Sequence, residues 1–207
     1  MLKRKVVIAG LYLPGIYPPG KDEVVCNLLA PAYLKSVADS DKEISDKYDI
    51  KILNLPTSLN IQQLNEKISL EKPDILAYSA YIWNYSNIIQ SSKEIKKANE
   101  DMIIILGGPQ VSFDSDRIIR ENPQIDIIVS GSGETKFKLL LKNDLKKESL
   151  SSIPMITYKD ELGNIVSTQG FIREDLSKIP SPYQTKTIDL NDWQKHTALL
   201  ETFRGCP

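Results

Sequence analysis

Short runs of apolar residues alternate with segments of helical spacing along most of this chain, and that alternation constrains the fold more than any other feature. The runs are unbroken rather than alternately polar, as at residues 103–106, which indicates strands covered on both faces of a parallel sheet. Between the runs lie helical stretches such as the one that presents Ile61, Leu64 and Ile68. We predict an α/β fold with a doubly wound, mainly parallel, five-stranded Rossmann-like sheet. Its strands are expected at residues 6–9, 50–53, 75–79, 103–106 and 127–130.

The pattern changes after about residue 143. Residues 156–159 and 165–168 flank a turn segment that contains Gly163, which predicts a β-hairpin. Residues 179–183 carry two prolines and are typical of an extended connector. We therefore expect a Rossmann-like domain over residues 1–143, followed over residues 144–207 by a hairpin and connector too short to form a second core.

Charge and composition exclude several kinds of partner. The 207 residues include 26 basic and 27 acidic ones, for a formal net charge of −1, so no global field attracts nucleic acid or anionic lipid. No apolar stretch is long enough for a membrane span. The two cysteines, Cys26 and Cys206, are far apart and supply no disulfide framework. A cytoplasmic protein without nucleic-acid or membrane partners is expected.

The single histidine, His196, limits the chemistry that the chain can carry. A histidine-rich metal site is excluded, and so is any Ser-His-Asp or Cys-His arrangement not built on this residue. Its sequence neighbours provide no metal-ligand spacing. We expect His196 to be structural or exposed.

Unusual loops follow three of the predicted strands. Ligands of open parallel sheets bind at the carboxyl ends of strands, and glycine there permits close approach of the backbone to a ligand. Glycine-rich segments stand at residues 107–112 and 131–134, and a polar, aromatic segment stands at residues 79–84. Each segment alone is more often a turn or a packing feature, but the three together predict a ligand site at one edge of the sheet.

Common nucleotide sites do not fit these loops. The first loop, residues 10–15, lacks the Gly-x-Gly-x-x-Gly pattern of dinucleotide-binding proteins, and a P-loop is also missing. A receiver domain would place acidic residues at the end of the first strand, and that end has none.

The chain resembles the cobalamin-binding domain at the N-terminus of many radical S-adenosylmethionine (SAM) proteins, within the subgroup termed anaerobic magnesium-protoporphyrin IX monomethyl ester oxidative cyclase-like. The resemblance spans nearly the whole chain and rests on the order and spacing of residues 79–84, 106–112, 126–134 and 201–207, with the hairpin and connector between the last two. It implies that the corrin ring lies across the carboxyl edge of the sheet while the nucleotide tail descends between strand ends.

The resemblance also implies which residues contact cobalamin. The glycines would admit the tail, Ser79 and Ser132 would hydrogen-bond with it, and Leu13, Tyr81 or Trp83 would lie beneath the macrocycle. The full set of candidate cofactor-binding residues is Leu13, Ser79, Ala80, Tyr81, Trp83, Asn84, Gly107, Gly108, Pro109, Gln110, Gly131, Ser132, Gly133 and Glu134.

One departure from the resemblance concerns the cobalt ligand. Many cobalamin domains carry Asp-x-His-x-x-Gly after the first strand, and that histidine coordinates cobalt from below. This chain has no histidine before His196. We expect cobalamin to bind without a protein histidine ligand, and the same observation leaves open a fold that binds no cofactor.

The last four residues, Arg204-Gly205-Cys206-Pro207, resemble the start of the Arg-Gly-Cys-Pro-x-x-Cys-x-x-Cys motif of radical SAM enzymes. Three thiolates at that spacing hold an iron–sulfur cluster, so Cys206 would be a ligand only with downstream cysteines. The expectation is a chain truncated before the radical SAM domain of the same polypeptide, which would supply the cluster and S-adenosylmethionine. A native C-terminus with a free cysteine is the alternative for these residues.

Two functions from different classes follow. The first is a cobalamin-binding module, without catalytic residues of its own, of a radical SAM oxidoreductase or methyltransferase that performs methyl transfer or oxidative cyclisation. The second is a cofactor-free interaction or vestigial domain that covers the barrel. A nucleotide-sugar-binding half of a transferase is weaker, because the phosphate contacts that it needs are not evident.

Overall fold

The computed structural model describes residues 2–14, 25–26, 28–189, 196–197 and 199–201. Its strands are β1 (Arg4–Tyr12), β2 (Val25–Cys26), β3 (Tyr48–Pro56), β4 (Ile75–Ser79), β5 (Ile103–Gly107), β6 (Ile127–Val129), β7 (Ile156–Lys159), β8 (Ile165–Ser167) and β9 (His196–Thr197). Seven of them form one sheet in the order β3-β1-β4-β5-β6-β7-β8, and β2 pairs with β9 in a separate parallel ladder.

The first five strands in the sheet order are parallel, as the unbroken apolar runs predict. β1 has β3 on one side and β4 on the other. The chain therefore winds in one direction from β1 to β3 and in the opposite direction from β4 onwards. In a doubly wound fold, the point where the winding reverses opens a crevice at the carboxyl ends of the two central strands, which are β1 and β4 here.

Within the described residues, eight α-helices pack around the sheet. They are α1 (Leu29–Asp39), α2 (Lys42–Lys47), α3 (Ile61–Leu70), α4 (Tyr85–Ala98), α5 (Pro109–Ser112), α6 (Ser115–Glu121), α7 (Glu134–Lys142) and α8 (Lys147–Leu150), and a 3₁₀ turn spans Leu176–Lys178. α3 contains the helical stretch predicted at Ile61, Leu64 and Ile68. Each of the other helices longer than four residues also follows a predicted strand, as the alternation predicts.

Helix α3 illustrates how local sequence sets an element. Asn60 accepts a hydrogen bond from the backbone N–H of Gln63, and the Gln63 side chain accepts one from the backbone N–H of Asn60, which is a capping box. Leu64 and Ile68, one turn apart, are the buried residues of the helix. The cap fixes where the helix begins, and the apolar pair fixes which face meets the sheet.

Residues of the parallel strands alternate between two hydrophobic clusters, one on each face of the sheet. One cluster joins Ile8 and Ile105 to Phe137 of α7. The other joins Ala9 of β1 to Leu64 of α3. The cavity described below opens on the face that α1 and α7 cover.

The sheet has seven strands rather than the five predicted, because the predicted hairpin joins its edge. β7 pairs antiparallel with β6, and β8 pairs with β7. Ile156 and Tyr158 of β7 are buried in the same cluster as Ile8, so burial of this apolar pair explains the extension. The hairpin prediction is confirmed, and the division of the chain at residue 143 stays a prediction.

The connector after the hairpin lies against α1. Ser36 of α1 donates a hydrogen bond to Thr187 Oγ1 at 2.9 Å, and its hydroxyl lies 3.0 Å from that of Thr185. Further along, the Tyr183 hydroxyl donates to the carbonyl oxygen of Leu199 at 2.6 Å. The Tyr183 bond ties residue 199 to the connector, and Glu201 lines the cavity described below. Among the helices of the described ranges, none is both long and apolar enough to cross a bilayer.

Candidate functional site

A cavity of about 340 Å³ opens at the carboxyl ends of β4, β5 and β6. Its floor is the sheet face formed by Ile8, Ala77 and Ile105, and its walls include Leu34 of α1 and Phe137 of α7. The cavity therefore enters between the sheet and the helices of one face, next to the point where the winding reverses. Its volume is in the range of small-molecule sites, roughly 300–1,000 Å³.

The three loops singled out from the sequence meet at this cavity. Of the fourteen candidate residues, those that line it are Ser79, Tyr81, Gly107, Gly108, Pro109, Gly131, Ser132, Gly133 and Glu134. The remaining candidates, which lie nearby without lining it, are Leu13, Ala80, Trp83, Asn84 and Gln110. The assignment of each residue to cofactor binding stays a prediction, but the expectation that the loops share one edge agrees with this geometry.

The backbone conformation at position 108 requires glycine, independently of any need to leave space for a ligand. Its φ is +108°, and an added Cβ would lie 2.5 Å from the carbonyl oxygen of Ala80. The same loop contact carries two hydrogen bonds, from Ala80 N to Gly107 O at 2.7 Å and from Gln110 N to Ala80 O at 3.3 Å. Ala80 and Gly108 thus hold the tips of β4 and β5 together.

Gly107 and Gly133 differ from Gly108, because neither has a positive φ. An added Cβ at Gly107 would meet Val129 at an ordinary 3.7 Å, and one at Gly133 would lie 3.3 Å from Leu34 Cδ2. Both residues line the cavity. A side chain here would narrow the cavity mouth without straining the backbone, so these two glycines keep it open.

Asn84 is buried beneath the loop after β4, with 1% of its surface exposed. Its side-chain amide donates to the carbonyl oxygens of Leu11 at 3.2 Å and Ser79 at 3.0 Å, and its Oδ1 accepts from Tyr81 N at 2.8 Å. This residue fastens the ends of β1 and β4 to each other. Asn84 thus supports the strand ends that carry the site.

Tyr81 and Trp83 stack with ring centroids 4.5 Å apart and planes inclined by 8°. The Trp83 indole N–H donates to the carbonyl oxygen of Leu11 at 3.4 Å. Trp83 remains 45% exposed and its neighbour Ile82 81% exposed. The pair presents a flat apolar surface beside the cavity mouth, of the kind that stacks on another planar π system.

The polar groups of the cavity are few. Ser79 and Ser132 contribute hydroxyls, and Glu134 and Glu201 contribute carboxylates. α7 begins at Glu134, so the N-terminus of this helix opens on the cavity, and its backbone N–H groups and dipole favour an acceptor or anion there. The cavity combines an apolar interior with a polar, glycine-rich mouth.

The sequence pattern did not identify the residues that form the interior. All of them except Glu201 belong to a strand or helix whose apolar pattern indicates core, and only a small residue within a buried strand, Ala77, indicates a space. The unpredicted lining residues are Ile8, Ala30, Leu34, Ala77, Tyr78, Ile105, Leu106, Val129, Phe137 and Glu201.

The prediction of an iron–sulfur ligand and the prediction about the lower ligand of cobalt both stay predictions. Cys206 lies outside the described residues, and for His196 only the backbone is described. Within the described ranges, no group of three or more His, Cys, Asp or Glu side chains could hold a metal ion.

Curated proteins much longer than this chain are similar to it in sequence. The cobalamin-dependent radical SAM methyltransferase TokK of Streptomyces tokunonensis is 26% identical over 202 residues, which cover 93% of this chain and 29% of that protein. The anaerobic magnesium-protoporphyrin IX monomethyl ester cyclase of Rubrivivax gelatinosus is 27% identical over 212 residues, 95% of this chain and 37% of that protein. The chain thus spans well under half the length of these two relatives.

A solved structure gives the same fold. The cobalamin-dependent S-adenosylmethionine radical enzyme OxsB, with aqua-cobalamin and S-adenosylmethionine bound, superposes with a TM-score of 0.65 at 19% identity, over 87% of this chain and 24% of that one. The family described as B12 binding domain matches residues 27–141, a span that includes α1, the glycine loops and most of α7. Because that match covers more than half of its residues, the chain belongs to the B12-binding domain family.

Proposed function

We propose that this chain is the cobalamin-binding module of a radical SAM protein. The observation that carries the proposal is the glycine-edged cavity at the carboxyl ends of the central parallel strands, in a chain of the B12-binding family. The nucleotide tail would enter the cavity, and the corrin ring would remain at its mouth. A cofactor-free module would have no need of an open apolar space at this point.

The residues present fit the chemistry of the tail. Its heteroaromatic base is flat and apolar, which suits the floor of Ile8, Ala77 and Ile105. Its ribose and phosphate carry acceptors, which suit the hydroxyls of Ser79 and Ser132 and the N-terminus of α7. The macrocycle is too large for about 340 Å³ and would rest outside.

The stacked Tyr81 and Trp83 are the proposed support for the corrin, together with Leu13 at the end of β1. Aromatic faces provide large contact area without a cobalt ligand. The nitrogen ligand common in other cobalamin domains has no counterpart before His196. We therefore keep the proposal that neither a histidine nor the base of the cofactor coordinates cobalt from below.

The role of the whole protein is a further part of the proposal. Bound cobalamin would supply a cobalt centre that carries a methyl group or supports an oxidative cyclisation. The relatives named above include a methyltransferase and a cyclase, so methyl transfer and oxidative cyclisation are the two proposed reaction classes. Cys206 would provide one thiolate of an iron–sulfur cluster in a radical SAM domain of the same polypeptide, located in the cytoplasm, where S-adenosylmethionine also binds.

Titration with hydroxocobalamin tests the cofactor proposal. The 207-residue chain is mixed with the cofactor, desalted, and examined for a retained cobalamin spectrum in stoichiometric amount. Flavin mononucleotide is titrated in parallel as the counter-ligand, because flavodoxin-like sheets bind flavin at the same switch point. Retention of cobalamin but not flavin supports the proposal, whereas loss of both on desalting favours the cofactor-free alternative.

A further inference from the structure

Lys136 is a buried lysine in the first turn of α7. Only 1% of its surface is exposed. Its ammonium donates to the carbonyl oxygens of Ser130 at 2.9 Å and Ser132 at 2.7 Å. Burial lowers the pKa of Lys136, and the carboxylates of Glu174 and Glu134 oppose that shift. A buried charge costs free energy unless it is well bonded, so this placement calls for an explanation.

The two bonded carbonyl groups belong to the loop between β6 and α7. The peptide bonds of this loop are trans, so the N–H of each peptide points away from its own carbonyl oxygen. For the peptide of Ser130 and Gly131, the carbonyl meets Lys136 and the N–H donates to Ser112 Oγ at 3.1 Å. Ser112 Oγ in turn donates to Gly108 O at 2.9 Å. This peptide is held on both sides and linked to the loop after β5.

The next bonded peptide is that of Ser132 and Gly133. Its carbonyl meets Lys136, so the N–H of Gly133 points to the opposite side. Ser132 and Gly133 line the cavity, and Lys136 does not. The lysine therefore lies behind the loop, and the N–H that it orients faces the cavity.

We propose that Lys136 is a positioning residue, which fixes the loop of residues 131–133 so that the Gly133 N–H donates a hydrogen bond to the nucleotide tail of cobalamin. This inference rests on the proposed cofactor. The loop could otherwise rotate its peptides, because glycine at positions 131 and 133 leaves the backbone free. The ammonium also places a positive charge behind the loop, on the side remote from the solvent, where an anionic phosphate in the cavity benefits from it.

The test compares cobalamin with cobinamide, the corrinoid that lacks the nucleotide tail. In Lys136→Met the side chain keeps its length and loses its donors. We expect the dissociation constant for hydroxocobalamin to rise about tenfold, as for loss of hydrogen bonds to a charged group, and that for dicyanocobinamide to change less than about twofold. The matched control is Lys138→Met on the same helix, where the lysine pairs with Asp41 at 3.0 Å away from the cavity. Both constants should be unchanged in the control.

A second variant keeps the test decisive if Lys136→Met does not fold. Ser112→Ala removes the other bond to the loop without a buried charge, and we expect roughly threefold weaker cobalamin binding with cobinamide binding intact. Equal weakening for both corrinoids, or no change in either, would overturn the inference and leave the proposed function standing. A wild-type chain that retains neither corrinoid would overturn the proposed function and this inference with it.

Discussion

Two alanines on neighbouring central strands give a direct test of where the cofactor binds. Ala77 of β4 pairs with Ile8 of β1, and Ala9 of β1 pairs with Tyr78 of β4. Both alanines are at most 4% exposed. Ala77 lines the cavity, while Ala9 packs in the hydrophobic cluster on the other face. The same substitution to valine therefore adds the same atoms to an open space in one case and to a filled core in the other.

Ala77→Val is expected to weaken cobalamin binding without destabilising the fold, and Ala9→Val is expected to do the reverse. Ala77→Val adds two carbon groups over empty space, which stabilises the fold by at most about 1.6 kcal/mol at roughly 0.8 kcal/mol for each buried group. On binding, the tail would meet an overpacked floor at a cost of about 1–3 kcal/mol, which weakens cobalamin binding about 5- to 150-fold. Ala9→Val should lose about 1–3 kcal/mol of unfolding free energy through overpacking and leave cobalamin affinity unchanged.

Two measurements separate the variants. Urea unfolding of the ligand-free chains gives the free energies, and titration with hydroxocobalamin under folding conditions gives the affinities. The reasoning is refuted if Ala77→Val binds cobalamin as tightly as the wild type, because the tail then does not use the floor of the cavity. Weakened binding in Ala9→Val alone would place the cofactor on the opposite face of the sheet.

Three further outcomes are expected. Hydrogen bonds from two lysines of α7 lower the pKa of Asp41 to about 2 from 3.8, so this carboxylate stabilises the fold above about pH 4 and its contribution is lost as pH falls towards 2. Asp41→Asn, which preserves a helix-capping side chain, should flatten this part of a stability-against-pH curve measured by urea unfolding. For His196→Ala, the electron paramagnetic resonance spectrum of bound cob(II)alamin should match that of the wild type and show no nitrogen splitting, whereas a splitting lost in the variant would identify His196 as a ligand. Asn84→Asp would set a carboxylate against two strand-end carbonyl groups, so the free energy of unfolding should fall by about 3 kcal/mol at neutral pH and by less at acidic pH. Asn87→Asp, at a half-buried position, is the control. A similar loss of unfolding free energy in that variant would count against this explanation.

The parallel sheet was predictable because its strands are covered on both faces, which forces unbroken apolar runs such as residues 103–106. The glycine loops were predictable because the carboxyl ends of parallel strands share an edge. The hairpin was predicted as an element, but its pairing with β6 was not, since the sequence of β7 does not state which edge it will join. Strand partners depend on three-dimensional contacts that a local pattern does not contain.

The interior of the cavity was hidden for a related reason. Leu34 and Phe137 have the helical spacing of ordinary core residues, and only the position of the two helices over the sheet leaves a gap between them. The burial of Lys136 was not predictable either, because a lysine among other lysines on α7 has the pattern of a solvent-exposed helix face. Its burial follows from the loop that folds around its ammonium.

The glycines at the cavity mouth perform two separate tasks. Gly108 and Gly131 have φ values of +108° and +70°, so they shape the loops whatever is bound. Gly107 and Gly133 do not have a positive φ, and a side chain at either position would narrow the cavity mouth. Alanine at Gly107 should therefore fold normally and weaken cobalamin binding, and alanine at Gly133 should do the same once the Leu34 side chain shifts by a few tenths of an ångström. Alanine at Gly108 should destabilise the ligand-free chain. A measured reversal of that order would mean that the open mouth is a by-product of loop geometry and not a feature kept for a ligand.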